Sequence, residues 1–148
     1  MGRVKIKFPE QKPLFTTTLS VRIGDINYGG HVGNDSVLSI IHEARMRFLA
    51  YFGGNELNIM GNSLIMADVM IAYKGEGFYG DKLTIEIFAE EITKVSFDLL
   101  YKITTTREGA VKDIAHAKTG MVCFDYTARR TAALTPEFEQ MLQGGESA

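Results

Sequence analysis

The sequence predicts an α+β fold, in which a mainly antiparallel sheet of about five strands wraps around one long central helix and a short C-terminal helix follows. One long stretch has the periodicity of a helix, whereas the other long stretches alternate apolar and polar residues, with hairpin-length links only among the later strands. The chain has 148 residues, 45% hydrophobic and 23% charged. Because this is typical of one globular domain, we expect a single domain over residues 1–148 with a frayed end at 143–148.

The long helix is predicted within residues 34–52. One face carries apolar residues at helical spacing: Val37, Ile41, Ala44, Phe48 and Phe52. Four more apolar residues widen this stripe: Leu38, Ile40, Leu49 and Tyr51. Asn34, Asp35 and Ser36 offer N-cap side chains, and Gly53 with Gly54 supplies the left-handed residue that ends a helix. The stripe is broad enough for a helix that a sheet wraps around.

Five stretches alternate as half-buried strands do: residues 15–23, 64–74, 81–93, 95–106 and 111–126. Alternation within 64–74 assigns Met66 and Met70 to the face opposite Val69. We expect both methionines, with Phe88, on the sheet face that the helix leaves uncovered. Contiguous apolar surface of this kind indicates a partner, so a homodimer at least is predicted, and a homotetramer is favoured. After the last strand, Thr135, Pro136 and Glu137 predict the cap and first turn of the short helix.

Composition excludes several classes of function. A formal charge of -2 without a basic block argues against nucleic acid as a partner. No run of about eighteen apolar residues is present, so no membrane insertion is expected. Cys123 is the only cysteine, which excludes a disulfide framework and favours a reducing cytoplasm. Metal binding is not expected either, because the sequence has no His-x-x-x-His motif and no cysteine pair.

A polar, glycine-containing loop leads into the long helix and begins a set of residues that appear in a familiar order. These residues are Arg22, Asp25, Gly30, His31, Val32, Asn34, Glu43, Ala44, Arg45, Tyr73, Gly80, Asp81 and Ala115. In their order and spacing, and over nearly the whole length, the chain resembles hot-dog-fold thioesterases of the 4-hydroxybenzoyl-CoA thioesterase and acyl-acyl-carrier-protein thioesterase type. The resemblance implies hydrolysis of an acyl-CoA or acyl-carrier-protein thioester in a channel at a dimer interface, frequently within a tetramer. It implies no cofactor, since CoA or phosphopantetheine is part of the substrate.

The chain departs from the resembling enzymes at one position. They commonly carry an Asp-x-Asp arrangement in the loop, and in several of them the second acid is the nucleophile or base. Here the first acid is Asp25, but Asn27 occupies the second position. An amide cannot act as a base, although it can donate a hydrogen bond to an oxyanion or orient a water. The working carboxylate is therefore expected at Asp25, at Glu43 or on another segment of a partner chain.

The candidate catalytic residues are thus Asp25, Asn27, His31 and Glu43. The backbone N–H groups of Gly30, His31 and Val32 are the expected oxyanion donors, because a glycine-bearing loop at a helix N-terminus presents unpaired amides. His31 is a candidate base, thiolate proton donor or hydrogen-bond donor, since imidazole titrates near neutrality. Each residue also has a structural interpretation: Asp25 and Asn27 in tight turns, His31 at the helix start, and Glu43 in a surface ion pair with Arg47.

Three functions remain open at this point. The first is a thioesterase that works by general-base hydrolysis or through an acyl anhydride. The second is a non-catalytic acyl-thioester-binding protein on the same fold, which Asn27 in place of the acid would favour. The third is a hot-dog acyl dehydratase, which resembling enzymes run with a histidine and an acid from separate elements. The fate of the thioester bond distinguishes the three.

Overall fold

The structure is a computed structural model that describes residues 4–144. Its helices and strands follow one another in the predicted order: β1 (Phe15–Ser20), α1 (Asn34–Tyr51), β2 (Leu64–Tyr73), β3 (Lys82–Glu90), β4 (Ser96–Arg107), β5 (Ala110–Asp125), β6 (Arg130–Thr131) and α2 (Pro136–Leu142). A short 3₁₀ turn, Ile23–Asp25, lies between β1 and α1. The α+β prediction is confirmed. The tiny β6, which pairs with the end of β5, was not predicted.

The strands form one antiparallel sheet in the order β1-β3-β4-β5-β2. β1 and β2 are therefore the two edges, although they flank α1 in sequence. One face of the sheet packs on α1, which lies against it through Ile41, Ala44 and Phe48, none of them exposed. Leu38 and Tyr51, predicted to widen the apolar stripe, are exposed instead. The buried stripe is thus narrower than the sequence suggested, and the face of α1 toward β2 is left partly open.

The start of α1 differs from the predicted cap. Asn34 is already the first helical residue, and the N-cap is Gly33, which has no side chain to offer. The amides of Ser36 and Val37 both donate to the Gly33 carbonyl. At the other end Gly53 has φ +88°, so the predicted left-handed termination is confirmed. Because no side chain caps the N-terminus, amides remain available there.

A β-bulge changes the predicted faces of β2. Met66 pairs with Met121 and Asp68 pairs with Gly120, so Ala67 is the extra residue between them. Beyond the bulge, Val69 faces α1 and Met70 faces away, as predicted. Before the bulge the alternation is reversed, because Met66 lies opposite the buried Met121 on the α1 side. The expectation that Met66 lies on the uncovered face is therefore wrong.

The outer face of the sheet is covered in part by the segment that precedes β1. Phe8 packs on Phe88 at a ring-centroid distance of 5.3 Å and meets His116 edge-on at 4.9 Å. Phe88 is consequently buried within its own chain. The expectation that Phe88 requires a partner subunit is wrong, since the N-terminal segment supplies its cover. Of the three residues predicted on this face, only Met70 lies there exposed.

The predicted C-terminal helix closes one end of the core. Thr135 caps α2, its hydroxyl accepting from the Phe138 amide at 3.3 Å. The Phe138 ring is fully buried and packs edge-on against Phe97. The predicted fraying at 143–148 falls mostly on residues 145–148, which lie outside the described part of the chain. Neither helix in residues 4–144 is long and apolar enough to span a membrane.

Candidate active site

Asp25 organises the loop that leads into α1. Its side chain is mostly buried, and Oδ2 accepts a hydrogen bond of 2.9 Å from the Arg22 amide. Its carbonyl oxygen accepts from the Gly33 amide at 3.0 Å. Asp25 therefore ties both ends of the loop together, which corresponds to the structural interpretation of this residue. One edge of Asp25 also borders a cleft described below.

Asn27 forms the tight turn inside this loop. Its Oδ1 accepts hydrogen bonds from the Gly29 amide at 2.9 Å and the His31 amide at 3.3 Å. An amide oxygen that accepts from the backbone two residues on is an Asx-turn, and Gly30 at φ +86° provides the left-handed residue that the turn requires. Asn27 thus shapes the loop that presents His31.

The three predicted backbone donors already have acceptors within the chain. The Gly30 amide donates to the Asn27 carbonyl at 3.1 Å, and the His31 amide donates to the Asn27 side chain. The Val32 amide donates to the Gly77 carbonyl at 2.8 Å. Within the described part of the chain, the unpaired amides at this helix start belong instead to Asn34 and Asp35. They point along the positive end of the α1 dipole, where developing negative charge is stabilised.

His31 and Asn34 line one pocket of about 180 Å³ that we call the helix-start pocket, together with Tyr73, Glu76, Gly77 and others. His31 Nε2 is 3.8 Å from Glu76 Oε1, and its ring meets Phe78 edge-on. The Tyr73 hydroxyl donates to the Asn34 carbonyl at 3.3 Å. An imidazole, a carboxylate and the residue with the first unpaired amide of α1, Asn34, therefore share one small pocket.

An ion pair holds the segment that carries Glu76. The Asp81 carboxylate accepts hydrogen bonds from Arg107 and, at 2.8 Å, from the Phe78 amide. The bond from Arg107 is the main reason why the pKa of Asp81 lies below its ordinary value. Arg107 also donates to the Glu76 carbonyl and lies over the Phe78 ring. Asp81 and Arg107 thus fix the turn that forms one wall of the helix-start pocket.

Glu43 and Asp25 border a different cavity, a cleft of about 280 Å³ between α1 and β1 that we call the β1-side cleft. Glu43 accepts a hydrogen bond of 2.9 Å from Arg47, so the predicted i,i+4 ion pair is present. Arg47 also donates to the Thr18 carbonyl at 2.9 Å, which fastens α1 to the edge strand. The structure therefore brings Asp25 and Glu43 to one cleft and places His31 in another pocket.

The opposite side of α1 carries polar residues that sequence reasoning missed. His42 Nε2 is 3.0 Å from Glu56 Oε1, and Arg45 Nε is 3.5 Å from Glu56 Oε2. With Leu38, Ser39 and Met66 these three residues line an opening of about 390 Å³, here called the α1–β2 groove. His42 and Glu56 are fourteen residues apart in sequence, and the contact arises only when the chain after α1 turns back. Among residues 4–144 no group of three or more acidic, histidine or cysteine side chains is arranged to hold a metal.

Comparison with known proteins supports a family relationship over most of the chain. A family model described as the thioesterase-like superfamily matches residues 21–142. The match begins after β1 and includes the loop, α1 and all later strands. It contains every residue of the helix-start pocket and of the α1–β2 groove.

Two curated relatives carry the same name. A 1,4-dihydroxy-2-naphthoyl-CoA hydrolase from Nostoc punctiforme is 30% identical over 132 residues, covering 87% of this chain and 86% of the relative. A protein of the same name from Microcystis aeruginosa is 30% identical over 125 residues, covering 82% of this chain and 88% of the relative.

Solved structures of thioesterases share the fold. A 1,4-dihydroxy-2-naphthoyl-CoA thioesterase from Synechocystis superposes with a TM-score of 0.76 at 23% identity, covering 87% of this chain and 95% of the other. A mutant 4-hydroxybenzoyl-CoA thioesterase in complex with 4-hydroxybenzoyl-CoA has a TM-score of 0.76 at 18% identity, covering 86% and 97%. At these identities the likeness establishes the arrangement of helix and sheet.

Proposed function

The chain belongs to the thioesterase-like superfamily, and we propose that it hydrolyses the thioester bond of an acyl-CoA at the helix-start pocket. One observation carries the choice of pocket: Asn34, whose amide is unpaired, lines it together with His31, and the Glu76 carboxylate lies near the His31 imidazole. Oxyanion donors and a base in one pocket are the two requirements of thioester hydrolysis, because the thiolate is a good leaving group.

In the proposed reaction, His31 accepts a proton from water while the water oxygen attacks the thioester carbonyl carbon. The carbonyl oxygen becomes an oxyanion that accepts a hydrogen bond from the amide of Asn34 at the positive end of the α1 dipole. When the tetrahedral intermediate collapses, the bond to sulfur breaks and the imidazolium of His31 returns its proton to the thiolate. Glu76 stabilises that imidazolium. The products are the free acid and CoA, and water is the only co-reactant, so no cofactor is required.

Asn27 acts in this proposal as a positioning residue. Its side chain accepts from the His31 amide and so orients the loop on which the imidazole stands. Asp25 also orients this loop, because it accepts hydrogen bonds from the amides of Arg22 and Gly33. Glu43 and Asp25 form the competing source of a base, because both carboxylates border the β1-side cleft.

A thiol-release assay over a panel of acyl-CoAs tests the proposal. The panel contains 1,4-dihydroxy-2-naphthoyl-CoA, 4-hydroxybenzoyl-CoA, benzoyl-CoA and straight-chain acyl-CoAs, with one acyl-carrier-protein thioester. We expect His31→Gln to lower kcat about a hundredfold to ten-thousandfold, the usual contribution of a general base, at unchanged melting temperature. The matched control is His116→Gln, a histidine on the outer face of the sheet, which should leave kcat at the wild-type value. A wild-type rate in His31→Gln would refute the assignment.

The competing carboxylates are tested in the same assay. Glu76→Gln should reduce kcat less than His31→Gln does, because Glu76 only stabilises the imidazolium. If Asp25→Asn or Glu43→Gln abolishes turnover while His31→Gln does not, the reaction belongs to the β1-side cleft. No release of thiol from any acyl-CoA would overturn thioester hydrolysis itself.

The non-catalytic alternative has its own discriminating variant because Asn27 stands where resembling enzymes carry an acid. Asn27→Asp keeps the acceptor for the Gly29 and His31 amides but adds a negative charge beside the oxyanion. In a working thioesterase this charge should lower activity, since it opposes the developing oxyanion. If the wild type is inert and Asn27→Asp creates hydrolysis, the wild-type chain is a binding protein that lacked only its acid.

We also infer that the protein is a homodimer joined through β2. This ten-residue edge strand has β5 as its only partner within residues 4–144, and a long unpaired edge is a template for pairing with another copy. Met66, Val69 and Tyr73 are exposed on its α1 side. Light scattering should give the mass of a dimer or of a pair of dimers. A monomer at micromolar concentration would contradict this arrangement.

The cysteine content supports a proposal about the compartment. Cys123 is the only cysteine in the sequence, so the fold uses no internal disulfide, which is typical of proteins from a reducing compartment. We therefore propose a reducing cytoplasm as the site of action, where acyl-CoA is also found. A cytosolic fraction that lacks the protein would contradict this.

A further inference from the structure

One arginine lies behind the turn that forms a wall of the helix-start pocket. Arg107 is the last residue of β4 and lies 31 positions after Glu76 in the sequence. It forms an ion pair with Asp81, in the turn between β2 and β3, and the two side chains are only 29% and 16% exposed. An ion pair that is largely shielded from water is screened less by salt than a surface pair. It therefore provides a fixed point beside the pocket.

The first contact of this arginine with the wall is at the backbone of Glu76. Arg107 Nη2 donates both to the Glu76 carbonyl and to Asp81 Oδ2. The same Asp81 oxygen accepts from the Phe78 amide at 2.8 Å. The ion pair therefore holds the main chain at two points, Glu76 and Phe78, and neither point can shift without breaking a hydrogen bond to a charged group.

The second contact is with the aromatic ring that borders His31. The guanidinium carbon of Arg107 lies 4.7 Å from the centre of the Phe78 ring, which is within the range of a cation–π contact. The ring centroids of Phe78 and His31 are 6.4 Å apart, and the rings meet at an angle of 85°. Phe78 therefore contacts both the arginine and the imidazole, and it limits the positions that the imidazole can take.

The turn also packs closely on the loop that carries His31. The Val32 amide donates to the Gly77 carbonyl at 2.8 Å, and a Cβ atom on Gly77 would lie only 2.8 Å from Val32 Cγ2. Close-packed groups transmit displacements because there is no free space to absorb them. A shift of the turn therefore reaches the neighbouring His31 as well as Glu76.

We propose that Arg107 is a positioning residue for the reaction, which sets the place of the Glu76 carboxylate relative to the His31 imidazole. This inference rests on the proposed thioester hydrolysis at the helix-start pocket. Arg107 does not line that pocket, so it acts through Glu76 and Phe78. The role requires the planar guanidinium, because the ammonium group of lysine is a point charge that cannot lie flat on a ring and bind two acceptors in the same way.

The first test is Arg107→Lys, which keeps a positive charge opposite Asp81 but removes the planar group. Turnover is measured with the acyl-CoA of the panel that the wild type hydrolyses fastest. We expect kcat to fall about tenfold to a hundredfold, the effect of a small misplacement of catalytic groups. KM should stay near the wild-type value, since Arg107 does not line the pocket.

Arg47→Lys is the matched control. Arg47 makes the same kinds of contact on the far side of α1, because it donates to the Thr18 carbonyl at 2.9 Å and to the Glu43 carboxylate at 2.9 Å. This variant should keep the wild-type kcat. A loss as large as that of Arg107→Lys would overturn the inference, because activity would then respond to any loosened arginine or belong to the β1-side cleft.

A double variant separates positioning from a general effect on folding. Residues that act as a unit have non-additive effects on the rate. In the His31→Gln background, Arg107→Lys should therefore cause almost no further loss of kcat. A residue with a purely structural role would cause the same fold loss in both backgrounds. If Arg107→Lys does not fold at the assay temperature, Asp81→Asn takes its place in the cycle with the same expectation, because its side-chain oxygen still accepts from the Phe78 amide while the ion pair is lost.

The outcomes are distinguishable from those of the proposed function. Hydrolysis that depends on His31 but not on Arg107 leaves the proposed function standing and overturns this inference. Equal fold losses in the wild-type and His31→Gln backgrounds also overturn it. If no acyl-CoA is hydrolysed, or if His31→Gln keeps the wild-type rate, the proposed function fails and this inference fails with it.

Discussion

Tyr101→Phe probes the buried polar network beneath the α1–β2 groove. The Tyr101 side chain is fully buried in the core, and its hydroxyl joins two neighbours. It accepts from Arg45 Nη1 at 3.2 Å and shares a hydrogen bond of 2.7 Å with Thr119 Oγ1. The substitution removes one oxygen atom and keeps the ring, so the change in packing is small. Its effect therefore reports the two hydrogen bonds.

The expected cost follows from the charges of the partners. A neutral hydrogen bond such as that to Thr119 contributes about 1 kcal/mol, and one to a charged group such as Arg45 about 1.5–3 kcal/mol. The variant buries no hydroxyl at this position, so its smaller desolvation penalty offsets part of this cost. We expect the free energy of unfolding to fall by about 2–4 kcal/mol, which corresponds to a melting temperature lower by roughly 6–12 °C in a chain of this length.

Urea unfolding measured by far-UV circular dichroism suits this test, since the chain has no tryptophan. Protein concentration must be equal in all samples, because dimer formation would couple stability to concentration. Thr119→Val and the double variant complete a mutant cycle. The double variant should be less destabilised than the sum of the single variants by about 1 kcal/mol, since both partners of one bond are then apolar. A cost below about 0.5 kcal/mol for Tyr101→Phe, or strict additivity, would refute the reasoning.

Three further outcomes are expected. Phe48→Ala should lower the free energy of unfolding by about 3–5 kcal/mol, because this unexposed ring packs on Phe15 and its loss leaves a cavity; a cost near zero in denaturant titration would contradict the assigned core. Cys123, whose burial raises its pKa to about 11, should not react with a thiol reagent at pH 8 until the protein is unfolded, and rapid labelling of the native protein would contradict its burial. Burial, and then the charges of Glu91 and Asp98, raises the pKa of Glu90, so the folded state holds the Glu90 proton more tightly than the unfolded chain. Glu90→Gln should therefore stabilise the protein at pH 7 by about 0.2–1 kcal/mol, because Asp98 lies directly opposite on β4. The gain should shrink as the pH falls through the raised pKa, and a gain that does not change with pH would contradict the charge argument.

The parts of the fold that sequence could predict are those that depend on local periodicity. Phe48 and Ile41 follow the helical repeat and are buried as expected. The family resemblance is confirmed by the match over residues 21–142. Thr135 caps α2 because its pattern with Pro136 is local. The helical repeat and the cap are each contained within a few residues of sequence, whereas the resemblance is spread over residues 22–115.

The remaining differences come from contacts that are distant along the chain. Phe88 is buried because Phe8, eighty residues earlier in the chain, packs over it, and no local sequence pattern predicts that contact. Glu56 reaches His42 only because the chain turns back after α1. In the loop, Asn27 could be interpreted as a turn or as a catalytic substitute, and the hydrogen bonds of its side chain show the turn. The candidate site was therefore predictable as a loop, but its pairing of groups was not.

The bulge in β2 has a consequence for how such proteins diversify. One additional residue, Ala67, lies between Met66 and Asp68 without a partner on β5. With that residue deleted and β5 pairing kept, Met66 would still lie opposite Met121 and face the α1–β2 groove, because Asp68 and Val69 would then continue a regular alternation. The bulge therefore allows β2 to gain or lose one residue at this point without exchanging the side chains that line the groove. Descendants of one ancestral gene can differ in length here and keep the same groove lining and the same core.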